Sequence, residues 1–597
     1  MPESALIAPG WDTVARQLSW AHDPAEIYVG DSPRGRWFPG GTLNVAANCL
    51  DRHLGERRDA VAVHWEGEPE DRRSITYGEL HADVCRFATV LRSLGVRAGD
   101  RVVLQMGLIP EAVVAMLACA RIGAVHAVMP SVLPPDALEA RIADVAARMV
   151  ITQDGAWRHG VILPLKARVD EAVAAVPGVE HTIVVRRTGM DIAWYEGDRW
   201  YHELTELAGP ASEPAPSFPA EHPLCVAHLA NRRGRPNPIV HGSGNFLAYL
   251  LALHGESLRG RDRTFWFPSE IGWLACQSHG IYGPLVCGGT SVLFEGMLDT
   301  PSHDRVWQIV QRFGVEVLAA TPSLIRHLRA WTDSPPRRQD LTSLELFVSA
   351  GEAIDEELAA WLRREVCRGG AEIVDAWGQT ELGGVVAFNG GAPQVPDPGL
   401  DVVDGEGRSA PVGEEGELVL RHPWAGTCIA SGGGDDPPAR AFARFPGMYA
   451  TGDRAVRRTD GTFGFLGRID PIITVSGQLV SVTEVEDALL EHPFVARALV
   501  SERPDPHTNR AVVALVEPTD GAVDRDELAA ELRSYVSGSL GGLSRPRTIV
   551  FTNGLPHSLP DQAVRLALGA MCTARPAAGL LSTTAAELAA LAGAADR

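Results

Sequence analysis

The chain has 597 residues and a net charge of −21, with 45% hydrophobic and 22% charged residues. These proportions are typical of a globular protein with several structural units, and the acidic balance argues against general nucleic-acid binding. Lys and Arg together number 54, but Lys166 is the only lysine. Any lysine chemistry must therefore use that residue or be absent.

The nine cysteines are scattered and form no CxxC pair, so a disulfide-stapled secreted fold is not expected at this chain length. The first residues lack a basic segment followed by an apolar core, and no apolar run approaches the ~18 residues of a membrane span. We expect a cytoplasmic protein without membrane or nucleic-acid partners.

The N-terminal half alternates between strand and helix patterns. Residues 59–65 alternate like a strand, and a Thr cap precedes a helix over 79–94 that ends at Gly95. Residues 101–106 form a short apolar run, a helix begins at Pro110, and residues 124–130 read as the next strand. Strand–helix–strand order predicts a parallel sheet with crossover helices.

The alternation of strand and helix patterns continues further along the chain. Further strands are predicted at 149–155, 181–187, 290–296, 315–322 and 344–351. Residues 208–223 read as a surface linker, and from about 398 the strands become shorter, with Gly and Pro turns. After Asp470 comes a compact tail with two amphipathic helices. The pattern predicts an α/β body with a β-rich segment and a small α+β domain.

Seven stretches, in order along nearly the whole chain, resemble the acetyl-CoA synthetase branch of the adenylate-forming acyl-CoA synthetases. They are 37–54, 109–128, 270–285, 349–357, 373–384, 448–470 and 475–493. The resemblance implies a large N-terminal domain, 1–469, with a β-rich subdomain, and a small mobile α+β domain, 470–597, hinged near Asp470. Family members activate a carboxylic acid with ATP, form an acyl-adenylate, and pass the acyl group to coenzyme A.

The resemblance implies that an adenosine site is kept. By resemblance, the adenine and the α-phosphate are bound by Gly351, Glu352, Ala353, Asp375, Trp377, Gln379 and Thr380. Asp453 would accept hydrogen bonds from the ribose hydroxyls, assisted by Arg468, because a carboxylate suits vicinal hydroxyls and a guanidinium suits ribose oxygens or phosphate. Glu381 stands where the family holds magnesium. We expect AMP or ATP as ligand, with Mg²⁺ as an open question.

The family's phosphate loop is a Ser/Thr/Gly-rich turn that ends in Pro-Lys-Gly. The aligned residues 228–241 lack its hydroxyls, and Asn237 and Pro238 replace the lysine and glycine. Proline lacks an amide donor, so a backbone nest for phosphate is compromised here. The arginines of this segment are interpreted as a solvated run, with binding of another anion as the alternative.

The family's C-terminal lysine contacts the substrate carboxylate and the α-phosphate, and here that position holds Gln562. The hinge region also departs from the family, since Leu479 replaces an arginine, Ser481 replaces a glycine, and Pro471 follows Asp470. Removing one preorganised stabiliser of the transition state costs about 10²–10³ in rate. These changes predict that adenylation is impaired.

The acyl and CoA sites are also assigned by resemblance. The acyl pocket would contain Trp273, Leu274, Ala275, Ala350 and Gly378. Gly378 replaces a tryptophan of the acetate-specific relatives, which either opens space for a longer acyl group or is compensated by repacking. Arg158 matches a residue near the CoA nucleotide.

Three hypotheses follow. The first is a repurposed, non-adenylating enzyme that transfers the acyl group of a preformed acyl-adenylate or acyl-CoA, with His241 as a candidate base. The second is an inactive pseudoenzyme that binds a carrier protein or partner enzyme. The third is a complete short- or medium-chain acyl-CoA ligase with substitute residues. The two lost lysines favour the first hypothesis over the third.

Overall fold

The protein is described by a computed structural model. The structure describes residues 7–584 and residue 587, except for 31–34, 210–213, 232–233, 259–261, 332–335, 390–395, 433–436, 470–471, 520–523, 553–560 and 575–579. The predicted hinge at Asp470 and Pro471 lies outside the described residues. No helix in the described part is long and apolar enough to cross a membrane.

Two eight-stranded sheets form the large N-terminal domain. In spatial order, the strands of the first are Asp198–Trp200, His181–Val185, Met149–Gln153, Arg101–Gln105, Val125–Met129, Pro223–Asn231, Gly234–Gly242 and Ala430–Ser431. Those of the second are Gly384–Asn389, Glu372–Gln379, Leu346–Ala350, Val317–Ala320, Thr264–Trp266, Thr290–Glu295, Val61–Gly67 and Arg72–Thr76. The central strands of both are parallel, as the strand–helix–strand pattern predicts.

Helices cover both sheets. The α-helices before residue 470 are Trp11–Ala15, Val45–Cys49, Tyr77–Ser93, Pro110–Ile122, Pro135–Asp144, Leu165–Val173, Tyr201–Ala208, Ser243–Ala252, Gly283–Val286, Arg305–Phe313, Pro322–Ala330, Glu356–Glu365 and Pro437–Arg444. Thr76 and Glu79 form a reciprocal capping box at the start of Tyr77–Ser93, which confirms the predicted Thr cap. Helix Pro110–Ile122 is buried almost throughout, because it lies inside the large apolar core rather than on its surface.

Shorter helices and strands complete this domain. The π-helices are Leu253–Ser257 and Cys276–Tyr282, and the 3₁₀ turns are Asp51–His53, Pro336–Arg338 and Thr380–Leu382. The small sheets contain Trp20–His22, Thr42–Leu43 and Phe218–Pro219; Tyr28–Val29 and Arg36–Trp37; and Ala156–Arg158 and Val161–Leu163. Phe218–Pro219 shows that the predicted linker 208–223 contains a short paired strand.

The β-rich segment is a four-stranded antiparallel sheet of Leu400–Val403, Glu415–Leu420, Tyr449–Arg457 and Phe463–Arg468. Beyond it, the small domain has a hairpin of Ile472–Val475 and Gln478–Ser481, and a sheet of Val495–Asp505, Asn509–Pro518, Thr548–Thr552 and Leu580–Thr583. Its helices are Val482–Leu490, Arg525–Leu540 and Asp561–Ala574. The first two contribute to a core distinct from those of the large domain. The predicted α/β fold with a small α+β domain is confirmed.

Candidate functional site

A cleft of about 1010 Å³ lies between the two domains. Its walls include the ends of several parallel strands of the large domain, the β-rich sheet, and the hairpin and helices of the small domain. Most of the sequence-predicted site residues line it: Trp273, Ala275, Ala350, Gly351, Glu352, Ala353, Trp377, Gly378, Gln379, Thr380, Asp453 and Arg468. The fold therefore brings together residues that lie up to 195 positions apart in the sequence numbering.

The Asp453 carboxylate accepts hydrogen bonds from three side chains in this cleft. Trp377 Nε1 donates to Asp453 Oδ2 at 2.9 Å, and Gln379 Nε2 donates to the same oxygen at 3.1 Å. Arg468 Nη1 donates to Oδ1 at 3.1 Å. Strands Tyr449–Arg457 and Phe463–Arg468 pair Asp453 directly with Arg468. The adenosine-site residues predicted from three separate motifs thus meet at one carboxylate.

The Glu352 side chain lies at the turn after strand Leu346–Ala350. Ser323 Oγ donates to its Oε1 at 2.7 Å, and Arg326 Nη1 donates to its Oε2 at 3.3 Å. Burial raises the pKa of Glu352, and these donors oppose that shift. Gly351 has φ +93, and a Cβ there would contact Gly477 of the small-domain hairpin at 3.4 Å. This turn is where the small domain enters the cleft.

Gly378 lines the cleft beside a break in strand pairing. The ladder between Glu372–Gln379 and Gly384–Asn389 is irregular between Trp377 and Gly378. A Cβ at Gly378 would collide with the carbonyl oxygen of Gly384 and lie 2.6 Å from Val385 Cα. The adjacent strand thus occupies the space into which a side chain would project.

Two buried histidine rings, His279 and His254, form a hydrogen-bonded chain next to strand Gly384–Asn389. The amide of Val385 donates to His279 Nε2 at 3.0 Å, so the His279 proton is on Nδ1 and is donated to His254 Nε2 at 3.1 Å. Burial lowers the pKa of His279 to about 3. His279 lines the cleft as a neutral ring; it lies within the family-like stretch 270–285, but it was not predicted as a site residue.

Several predicted residues do not line the cleft. Leu274 is buried away from the cleft wall. Asp375 does not line the cleft either, and burial raises the pKa of its carboxyl to about 7. Glu381 is buried in the 3₁₀ turn Thr380–Leu382, and Arg158 is half-buried on strand Ala156–Arg158. His241 is fully buried with its pKa lowered to about 4, which does not suit a base exposed to substrate.

The two positions without lysine lie in different domains. Asn237 is buried on strand Gly234–Gly242 opposite Leu229. Gln562 belongs to helix Asp561–Ala574, but its side chain lies outside the described residues. Lys166 is fully buried, and its Nζ lies 2.5 Å from Asp170 and 2.8 Å from Asp198. The single lysine is therefore held in a structural ion pair outside the cleft.

Sequence reasoning missed the arginines that the fold adds to the cleft. Besides Arg468, the described lining contains Arg141, Arg454, Arg510 and Arg565. Arg565 follows Gln562 by three positions in the sequence, on helix Asp561–Ala574. That spacing is the one local signal that could have indicated a cation near this position.

Comparisons with known families cover most of the chain. The family model of AMP-binding enzymes matches residues 50–431, that of the AMP-binding enzyme C-terminal domain matches 484–559, and that of the acetyl-coenzyme A synthetase N-terminus matches 11–49.

Individual relatives agree with these matches. An acetyl-coenzyme A synthetase of Streptomyces coelicolor is 41% identical over 93% of this chain and 88% of its own length. That of Mycobacterium tuberculosis is 40% identical over 93% and 89%, and that of Rubrobacter xylanophilus 38% identical over 96% and 92%.

These comparisons contradict the prediction of impaired adenylation and of repurposed acyl transfer. Relatives that share about 40% of residues across 93% of the chain are named acetyl-coenzyme A synthetase, and the chain also matches that enzyme's N-terminal segment. The prediction was wrong, and it was drawn from single-position changes in the phosphate loop, at the C-terminal lysine and in the hinge region. It did not count arginines that other parts of the fold bring to the same cleft.

Proposed function

Because the chain belongs to the acetyl-CoA synthetase-like group of AMP-binding enzymes, we propose that it joins a short-chain carboxylic acid to coenzyme A with consumption of ATP. In the first step the substrate carboxylate attacks the α-phosphorus of ATP, which forms an acyl-adenylate and releases pyrophosphate. In the second step the CoA thiol attacks the acyl carbonyl and releases AMP. Coenzyme A, rather than a carrier protein, is the proposed acceptor.

The positioned Asp453 carboxylate is the observation that carries this proposal. Trp377, Gln379 and Arg468 hold both of its oxygens from three directions. A carboxylate has about four acceptor sites, so a ribose hydroxyl would share Oδ1 with Arg468 or displace one of these donors. A preorganised acceptor at the wall of a large cleft suits a nucleoside better than it suits a purely structural contact.

We propose that the acyl group lies near Trp273, Ala275, Ala350 and Gly378, which all line the cleft. The neighbours of Gly378 restrict the size of the acyl group, because backbone atoms of Gly384 and Val385 occupy the space into which a side chain at Gly378 would project. The neutral ring of His279 closes the same region. These contacts favour acids of a few carbons over long chains.

We further propose that arginines supply the charge that relatives obtain from lysine at the positions of Asn237 and Gln562. Arg141 and Arg565 line the cleft from opposite domains. A guanidinium remains charged at any relevant pH and binds phosphate oxygens through several donors. On this proposal the residue types of the phosphate loop differ from those of the relatives, but positively charged side chains still bind the phosphate oxygens.

The remaining elements of the site are proposals by resemblance. By resemblance Glu381 would bind Mg²⁺, an ion that keeps waters and phosphate oxygens as its other ligands. Its side chain is buried outside the cleft lining here, so it would have to reorient to reach such an ion. When bound, Mg²⁺ would neutralise phosphate charge. Arg158 would contact the CoA nucleotide, and the junction between residues 469 and 470 would be the hinge between the domains.

The proposal is tested by measuring acyl-CoA formation from ATP, CoA and acids of two to six carbons. We expect turnover with at least one acid, and Asp453→Ala to lower kcat/KM for ATP on the order of 10- to 100-fold, because charged hydrogen bonds are lost. Asp404→Ala is the matched control, since Asp404 lies in an exposed turn of the same sheet. Absence of turnover with every acid, in protein that still binds AMP, would refute the proposal.

A further inference from the structure

One wall of the cleft carries Arg141, to which the proposed function gives only a general cationic role, and His228, which the proposed function does not use. Arg141 comes from helix Pro135–Asp144 and His228 from strand Pro223–Asn231, and both line the cleft. We propose that Arg141 and His228 together bind a phosphate chain, and that this chain is the β- and γ-phosphates of ATP. The inference rests on the proposed function and specifies how its nucleotide is held.

The two side chains share one face of the sheet. Val226 and Val240 of the hairpin strands pack against Leu138 and Ile142 of the helix. His228 follows Val226 by two residues and therefore projects to the same side of the strand. Arg141 precedes Ile142 and reaches the cleft beyond this apolar contact.

Neither side chain is engaged by the described protein. Within the described residues, Arg141 makes no hydrogen bond and no ion pair within 4 Å, whereas Arg468 and Arg565 contact carboxylates. The Nε2 atom of His228 is buried without a hydrogen-bond partner in that same part of the chain. Polar atoms buried in this way at a cleft wall are normally satisfied by a ligand or water.

The charges of these groups act on one another. Burial and, second, the positive charge of Arg141 lower the pKa of His228 to about 3, so His228 is a neutral ring with one N–H to donate. A guanidinium and a neutral N–H donor on the same cleft wall suit phosphate oxygens. The carboxylates that act on Arg141 here are those of Glu484 and Asp144. Leu229, Ala230 and Pro236 place the former phosphate-loop segment at the same wall.

The small domain supplies a competing negative charge. Glu484 lines the cleft on helix Val482–Leu490, which packs on strand Gly234–Gly242. Burial raises the pKa of Glu484 to about 7, and Arg141 is the main charge that opposes this shift. Arg141 thus faces a carboxylate when the small domain is docked as here, and would face phosphate when that carboxylate is withdrawn.

The test compares ATP, AMP, inorganic pyrophosphate and CoA as ligands by isothermal titration calorimetry. Arg141→Gln and His228→Ala should weaken binding of ATP and pyrophosphate, on the order of 10- to 100-fold for Arg141→Gln. Both should bind AMP as the wild type does, which also shows that they are folded. Arg141→Lys should recover part of the loss, and Glu484→Gln should tighten pyrophosphate binding.

Arg363→Gln is the matched control, since Arg363 is an exposed helix residue paired with Glu356. The inference would be overturned if Arg141→Gln bound ATP and pyrophosphate as tightly as the wild type does. It would also be overturned if the variant lost affinity for CoA alone, because the site would then bind the phosphates of CoA. If the wild type forms no acyl-CoA but Arg141→Gln still selectively loses pyrophosphate binding, the subsite stands and the proposed function fails.

Discussion

Gly378→Ala tests whether the close strand approach at this residue supports the nucleotide site. The added Cβ would collide with the Gly384 carbonyl oxygen and lie 2.6 Å from both the Gly384 carbonyl carbon and Val385 Cα. These are backbone atoms and cannot rotate away, so one strand must shift. Overpacking typically costs 1–3 kcal/mol, and we expect a loss near the upper end, about 3 kcal/mol.

The assay combines chemical denaturation, followed by circular dichroism, with the KM for ATP. The KM should rise as well, because the shifted strand also carries Trp377, which donates to Asp453. Gly405→Ala is the control, since no atom lies within 4 Å of a Cβ at Gly405. If Gly378→Ala matched this control in both measurements, the reasoning about the strand would be refuted.

Three further predictions concern single side chains. Lys166→Met should destabilise the protein by about 3–5 kcal/mol in denaturant titrations, because it leaves Asp170 and Asp198 without their buried cation. The folded fraction should keep its kcat, and an unchanged stability would contradict the prediction. Asp375→Asn should remove a pH dependence: burial raises the pKa of Asp375 from 3.8 to about 7, so the native state retains a proton that the unfolded chain releases. The wild-type unfolding free energy should therefore fall between pH 4 and 7, at up to about 1.4 kcal/mol per pH unit, and identical slopes in both proteins would exclude this effect. Trp377→Phe should raise the KM for ATP roughly 5- to 10-fold with the stacking on Phe465 preserved, and an unchanged KM would show that its N–H is dispensable.

The repeating local patterns of the sequence were sufficient to predict the general fold. Apolar alternation at 59–65 predicted strand Val61–Gly67, and the Thr cap predicted helix Tyr77–Ser93. The fold class follows from such elements because each buries one face in a shared core. The two eight-stranded sheets and their strand orders could not be predicted, since they depend on contacts between distant segments.

Residue orientation within the site was less predictable. Asp375, Trp377 and Gln379 alternate along one strand, yet only the last two reach the cleft. The cleft lining includes every residue from 376 to 380, so Asp375 lies one position beyond its edge along the strand. The residue types carry no signal for where along a strand a cleft begins.

The chemistry of the cleft was misjudged for a related reason. Residue-by-residue comparison shows that the lysines are missing at Asn237 and Gln562, but it cannot show which cationic side chains from other parts of the chain line the same cleft. Arg141 lies 96 positions before Asn237 in the sequence numbering and reaches the same cleft only through packing of its helix on the hairpin strands. Which distant residues share one cleft becomes visible only once the fold is known.

The most direct test of the account is acid-dependent exchange of labelled pyrophosphate into ATP by the wild-type protein. This exchange reports the adenylation step alone and requires no coenzyme A. We predict exchange that depends on an added short-chain acid and falls sharply in Asp453→Ala and Arg141→Gln. Absence of exchange with every acid, from protein that binds AMP and ATP, would contradict the claim that this chain activates a carboxylic acid.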